Sequence, residues 1–126
     1  MAMSPIRILL ILLMLTLFGP AAAWAEEGSD EVDHLALAAL MLRDGNIDRA
    51  LLALDQVNTA DEQLDRVRYY TLRGMAHMRR NEFAPAREAL VQAIAAGEAD
   101  AVVYVYLAQV NYQLEDYAGA IGALND

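Results

Sequence analysis

The sequence has no cysteine, and because its nine basic residues are all arginine it has no lysine either. The first absence removes disulfides, thiolate nucleophiles and thiolate metal ligands. The second removes Schiff-base chemistry and the lysine of phosphate-binding loops. Positive charge is scarce overall: nine arginines face 18 acids, a net charge of −9. Such a surface repels nucleic acid and anionic membrane faces, since both are bound through counterion release by basic side chains.

Nucleophiles are equally thin. Beyond residue 25 the chain holds one serine, Ser29, and two threonines, Thr59 and Thr71. No nucleophile, base and orienter can be assembled from these. The two histidines, His34 and His77, lie 43 residues apart with no companion at metal-ligand spacing. Both read as partly buried packing residues. Acid pairs such as Asp61-Glu62 and Glu115-Asp116 fall at expected helix starts or turns, where they complement the helix dipole. The expectation is therefore no catalytic residue, no metal and no cofactor.

The one long apolar run is N-terminal. Arg7 is followed by ILLILLMLTLF over 8–18, then Gly19-Pro20, then AAAWA running into EEGSDE. Ala23 and Ala25 suit the −3 and −1 positions of a secretory cleavage site, so residues 1–25 are expected to be a signal peptide, with Glu26 the new N-terminus. An uncleaved anchor is the competing reading, but the strongly apolar part is only 11 residues, where a span needs about 20. Export is implied, to the bacterial periplasm. Residues 26–30 read as a flexible acidic lead-in, and 31–126 as the folded domain.

From residue 31 onward apolar residues recur at three and four, and no stretch alternates convincingly with period two. The run AVVYVYLAQV (101–110) is rich in β-branched and aromatic residues, yet its continuation keeps helical spacing, so a helix is expected there too. The same skeleton is written three times: GNIDRALLAL (45–54), NEFAPAREAL (81–90) and EDYAGAIGAL (115–124). From Asn81 to Glu115 is 34 residues, as are Tyr70 to Tyr104, Gly74 to Ala108, Phe83 to Tyr117, Ala86 to Ala120 and Leu90 to Leu124. From Gly45 to Asn81 is 36, the two extra residues falling in the NTADEQLD connection, where a loop absorbs them at little entropic cost.

Each unit reads as a helix pair. Gly45 and Asn81 mark the turn between the helices, because both accept positive φ cheaply; Glu115, at the third equivalent place, is a costlier choice. Pro85 falls in the first turn of a second helix, where its missing N–H does no harm. Thr59 with Glu62 matches a capping box expected to open the next long helix. Ala38, Gly74 and Ala108 should face Ala50, Ala86 and Ala120, letting the paired helices approach closely. Tyr70, Tyr104, Phe83 and Tyr117 should fill the wedge between neighbouring pairs, so that each pair buries its apolar face against the next.

These residues resemble the tetratricopeptide repeat, a helix-turn-helix unit of the same period. From Val67 the matching places hold Tyr70, Gly74, Phe83, Ala86, Leu90 and Ala93; from Ala101 they hold Tyr104, Leu107, Ala108, Tyr117, Ala120 and Leu124. In the first unit, from about Glu31, His34 and Ile47 take the aromatic slots, and the proline usual near the end of a unit is replaced by Glu98 in the second. The resemblance implies an all-α, right-handed α-solenoid of about three repeats, 31–66, 67–100 and 101–126, the last incomplete. It also implies a concave groove, lined by the first helix of each pair, that holds a protein or peptide partner.

Carried over position by position, the groove would be lined by Arg68, Thr71, Met75, Met78 and Arg79 in the second unit. In the third the places hold Val102, Val105, Gln109, Tyr112 and Gln113, and in the first Val32, Leu35, Ala39, Leu42 and Arg43. The carboxylate-clamp version of such grooves needs lysine, which this chain lacks. An apolar or mildly acidic segment is the expected occupant, with Arg43, Arg68 and Arg79 as cations and the methionines as adaptable contacts. The competing reading makes the apolar stripe part of the core. In the last pair, Leu114, Ile121 and Leu124 are expected to face water unless further chain, a partner or a second copy covers them. Self-association through that end is the alternative to a groove-binding scaffold.

Overall fold

The computed structural model describes residues 32–126 together with Ser4 and Pro5; the proposed signal segment otherwise, and the lead-in over 26–30, lie outside the described residues. The compact unit Asp33–Asp126 contains six helices: α1 (His34–Arg43), α2 (Ile47–Asp55), α3 (Arg66–Arg79), α4 (Phe83–Ala96), α5 (Ala101–Gln113) and α6 (Tyr117–Asn125). The fold is all-α among the described residues, and the β-branched run at 101–110 is helical. Helix periodicity, continued through Tyr112, outweighs local β preference there. No described helix is long and apolar enough to cross a membrane.

Three of the five turns are copies of one another. Gly45, Asn81 and Glu115 have φ of 80°, 59° and 61°. In each, the next residue reaches back five places: Asn46 N–H donates to Met41 C=O at 2.8 Å, Glu82 to His77 at 2.9 Å and Asp116 to Asn111 at 2.8 Å. A three-residue bond closes beside each, Gly45 to Leu42, Asn81 to Met78 and Glu115 to Tyr112. This pair of bonds is the Schellman motif, which satisfies the last carbonyls of a helix and needs a left-handed residue to do so. The positions read from the sequence as turns are those residues.

Helix α3 begins differently from expectation. Thr59 and Glu62 do not cap it; Asp65 does, its carboxylate accepting from Arg68 N–H at 2.9 Å. Aspartate caps at least as well as threonine. Residues 58–64 are held as turns instead. Asn58 accepts from Ala60 N–H, Asp61 accepts from Gln63 N–H, and the Arg66 guanidinium donates to the carbonyls of Thr59 and Asp61. Asp33 caps α1 and Asp116 caps α6 in the same manner as Asp65.

Each helix packs on its successor; in addition α1 touches α3 and α3 touches α5, and no other described pair is in contact. The small residues sit where the pairs cross. Ala38, Ala50, Gly74, Ala86 and Ala108 are buried, and a methyl group added at Gly74 would lie 2.7 Å from Leu90 Cγ. Ala120 is only half-buried.

Two apolar clusters result. One joins Leu35, Ala38, Leu42, Ala50 and Leu54 to Tyr69, Leu72 and Ala76 of α3. The other joins Ala86, Leu90 and Ala93 of α4 to Val103 and Val110 of α5. Tyr70 packs against both, and Phe83 against the second, as a wedge between pairs requires. Tyr117 does not: it is exposed, as are Ile121 and Leu124, because among the described helices only α5 packs against α6. Leu114, expected to face water with them, is half-buried against the second cluster instead.

Candidate functional site

The first-helix residues assigned to a groove meet very different fates. On α1, Leu35 and Leu42 are buried in the first cluster, so they are core and not lining. Their period of seven keeps them on the face turned to α2 and α3. Arg43 is largely exposed and pairs with its neighbour Asp44 at 3.6 Å. On α3, Met75 and Met78 are half-buried against the first and second clusters respectively, wedged between units where an unbranched side chain fills uneven space. Arg79 donates to the Leu42 carbonyl at the end of α1. It closes a unit boundary, and a ligand would have to compete for it.

Arg68 and Thr71 are brought together. They share an open pocket of about 460 Å³ between the N-terminal parts of α3 and α5, floored by Val67, Leu72 and Val103, with Val102 exposed at its rim. The Thr71 hydroxyl donates to the Val67 carbonyl at 2.7 Å, which leaves its lone pairs free to accept. Arg68 makes no ion pair or side-chain hydrogen bond among the described residues, whereas Arg66, Arg73, Arg79, Arg80 and Arg87 each hold a partner. Gln109, Tyr112 and Gln113 are exposed on α5 but do not line this pocket. The Tyr112 ring instead meets Tyr117 edge-on, centroids 5.4 Å apart.

Three acids that sequence reasoning left out complete the lining: Asp65 at the start of α3, and Glu98 and Asp100 between α4 and α5. Asp100 sits at the N-cap of α5 without using its side chain to cap it. One guanidinium against three carboxylates makes the pocket net negative. A pocket of that charge favours an apolar or basic segment over an acidic one. The signal was readable in GEAD, carboxylates in the loop that opens a first helix.

The other polar cluster runs along α3, from the end of α2 to the start of α4. Arg73 bonds Asp55 of α2 at 3.0 Å, and its guanidinium carbon lies 5.8 Å from the centre of the buried Tyr69 ring. Burial disfavours the Arg73 charge, yet the Asp55 hydrogen bond and the Tyr69 hydroxyl outweigh it, and the net effect raises its pKa. His77, half-buried, has Nδ1 3.4 Å from Glu82, whose carboxylate also pairs with Arg80 at 3.0 Å. These links tie helices together. Among the described residues no group of three or more metal-ligating side chains converges.

Comparison with known proteins brings no match, whether to protein-family models, to curated proteins or to solved structures.

Proposed function

We propose that the chain is an exported, non-catalytic scaffold of tetratricopeptide-like repeats that holds a protein or peptide segment in the groove between its first helices, in the bacterial periplasm and in the service of envelope assembly or secretion. The observation that carries the reading is the α3–α5 pocket. Two adjacent first helices present an unpaired arginine, a hydroxyl acceptor and an apolar floor to the same open space. The order of contacts supports it as well: successive helices pack, first helices touch first helices, and no other pair of described helices is in contact. On α5 that arrangement leaves Val102, Val105, Gln109 and Tyr112 exposed. A peptide laid there would gain apolar burial from Val102 and the pocket floor, with its backbone read by Arg68 and Thr71.

Partner capture from envelope extracts tests this. Wild type is compared with Arg68→Glu and Val102→Asp, both at exposed positions, so the fold should survive. Loss of the same captured species in both variants supports the groove; identical recovery with all three proteins rejects it. Arg79→Glu is not a suitable probe, because it breaks the bond to Leu42 within the fold.

A further inference from the structure

The three units do not bury equivalent residues equally, and clear differences fall on α1 and α6. Leu54 of α2 and Leu90 of α4 are both 0% exposed, whereas Leu124, their counterpart on α6, is 63% exposed. Ile47 and Phe83 pack against the two clusters, while their counterpart Tyr117 is 54% exposed. Inside the unit, Leu54 lies in one cluster with Tyr69, Leu72 and Ala76 of the next first helix. Leu90 is covered by Val103, Tyr106 and Val110, each 34 residues further on.

The mirror-image difference appears on α1. Ala76 and Val110 are 0% exposed because a second helix precedes them; Leu40, the equivalent residue 36 places before Ala76, is 44% exposed. Ala36, equivalent to the buried Leu72, is exposed beside it. So α1 carries the kind of face that covers a second helix, and α6 carries the kind of second-helix face that gets covered.

A polar feature points the same way. Within the chain the boundary between α1 and α3 is closed by Arg79 donating to the Leu42 carbonyl. Counting back one unit, 36 residues, from Arg79 gives Arg43, another arginine; counting on from Leu42 through Met78 gives Tyr112. Among the described residues Arg43 pairs only with its neighbour Asp44.

We propose that a second copy of this chain docks head to tail, the α1 face of one copy on the α6 face of another, repeating the internal boundary. Leu124, Ile121 and Tyr117 of one copy take Ala36 and Leu40 of the next, and Arg43 donates to the Tyr112 carbonyl as Arg79 does to Leu42. The contact is heterologous, with different patches on the two sides, so it adds copies in a line. The like charge of the copies, −9 each, opposes it, so higher ionic strength should strengthen it. The inference goes beyond the groove reading and does not rest on it.

Sedimentation velocity tests it on residues 26–126, a segment that contains every residue of both clusters. Wild type should sediment faster as concentration rises, and more so with added salt. Leu40→Glu and Leu124→Glu, both at exposed sites, should each weaken association about tenfold or more, with unchanged helical circular dichroism. Mixed in equal amounts, the two variants should form a one-to-one complex that grows no further, since each retains the face the other lacks. Arg43→Ala should weaken association on its own. A wild type that stays monomeric at every concentration overturns the proposal. So does association lost in Leu124→Glu but untouched in Leu40→Glu, which would mean tail-to-tail contact. Partner capture through Arg68 should be unaffected by either variant, which separates this result from the groove test.

Discussion

Leu90 of α4 lies directly over the bare Cα of Gly74 on α3, where an added methyl group would come within 2.7 Å of Leu90 Cγ and 2.8 Å of Cδ2. The contact fixes how closely the central helix pair packs. Alanine at 74 would gain about 1 kcal/mol of helix propensity but overpack the crossing at a cost of about 1–3 kcal/mol. Gly74→Ala should therefore be destabilising on balance. Leu90→Ala should cost about 2–5 kcal/mol, and the double variant less than the sum of the two, since each relieves the other's defect. Urea denaturation of the four proteins measures the coupling.

Glu115 occupies the left-handed conformation that Gly45 takes at the equivalent turn, with φ of 61° against 80°. A side chain there carries strain of about 1 kcal/mol or more. Glu115→Gly should raise stability by up to about 1 kcal/mol, and Gly45→Ala should lower it by about as much. Opposite shifts of the melting temperature are the expected outcome.

Asp65, and not Thr59, holds the start of α3. Asp65→Ala should cost about 1 kcal/mol, whereas Thr59→Ala should stay within about 0.5 kcal/mol of wild type. Equal losses at the two positions would reinstate the capping box.

The acids around Arg68 set the sign of what the pocket accepts. In fluorescence anisotropy, a labelled peptide with arginine or lysine beside leucine should bind more tightly than the same peptide with glutamate. Glu98→Gln with Asp100→Asn should narrow the gap, and added salt should shrink it further. Preference for the glutamate peptide would contradict the charge arrangement.

Most of the backbone plan was legible because it repeats. Positions occupied twice by the same kind of residue, such as Ala38 and Ala108 at the crossings or Gly45 and Asn81 at the turns, announce a shared role, and the turns and crossings follow from them. What the comparison of units could not reveal are roles filled by a different residue type, or at a shifted place, from unit to unit. Tyr69, buried and edge-on to Tyr70 at 5.0 Å, has Val103 as its counterpart, so periodicity passed it over. The capping carboxylate of Asp65 lies in the connection where the first and second units differ in length. Arg79 was assigned to the groove by its slot, but the reach of its side chain takes it across the unit boundary to Leu42. The pocket acids were missed because they sit in loops, outside the helical frame used to place the lining.

Contacts that run only between near neighbours leave the unit without a keystone. Tyr70, packed against both clusters, and the Leu90–Gly74 crossing couple one half to the other. Opening can therefore begin at a rim and travel inward one hairpin at a time. Amide protons of α6 should exchange with solvent soonest, and those of α3, gripped on both flanks, should be the last to go.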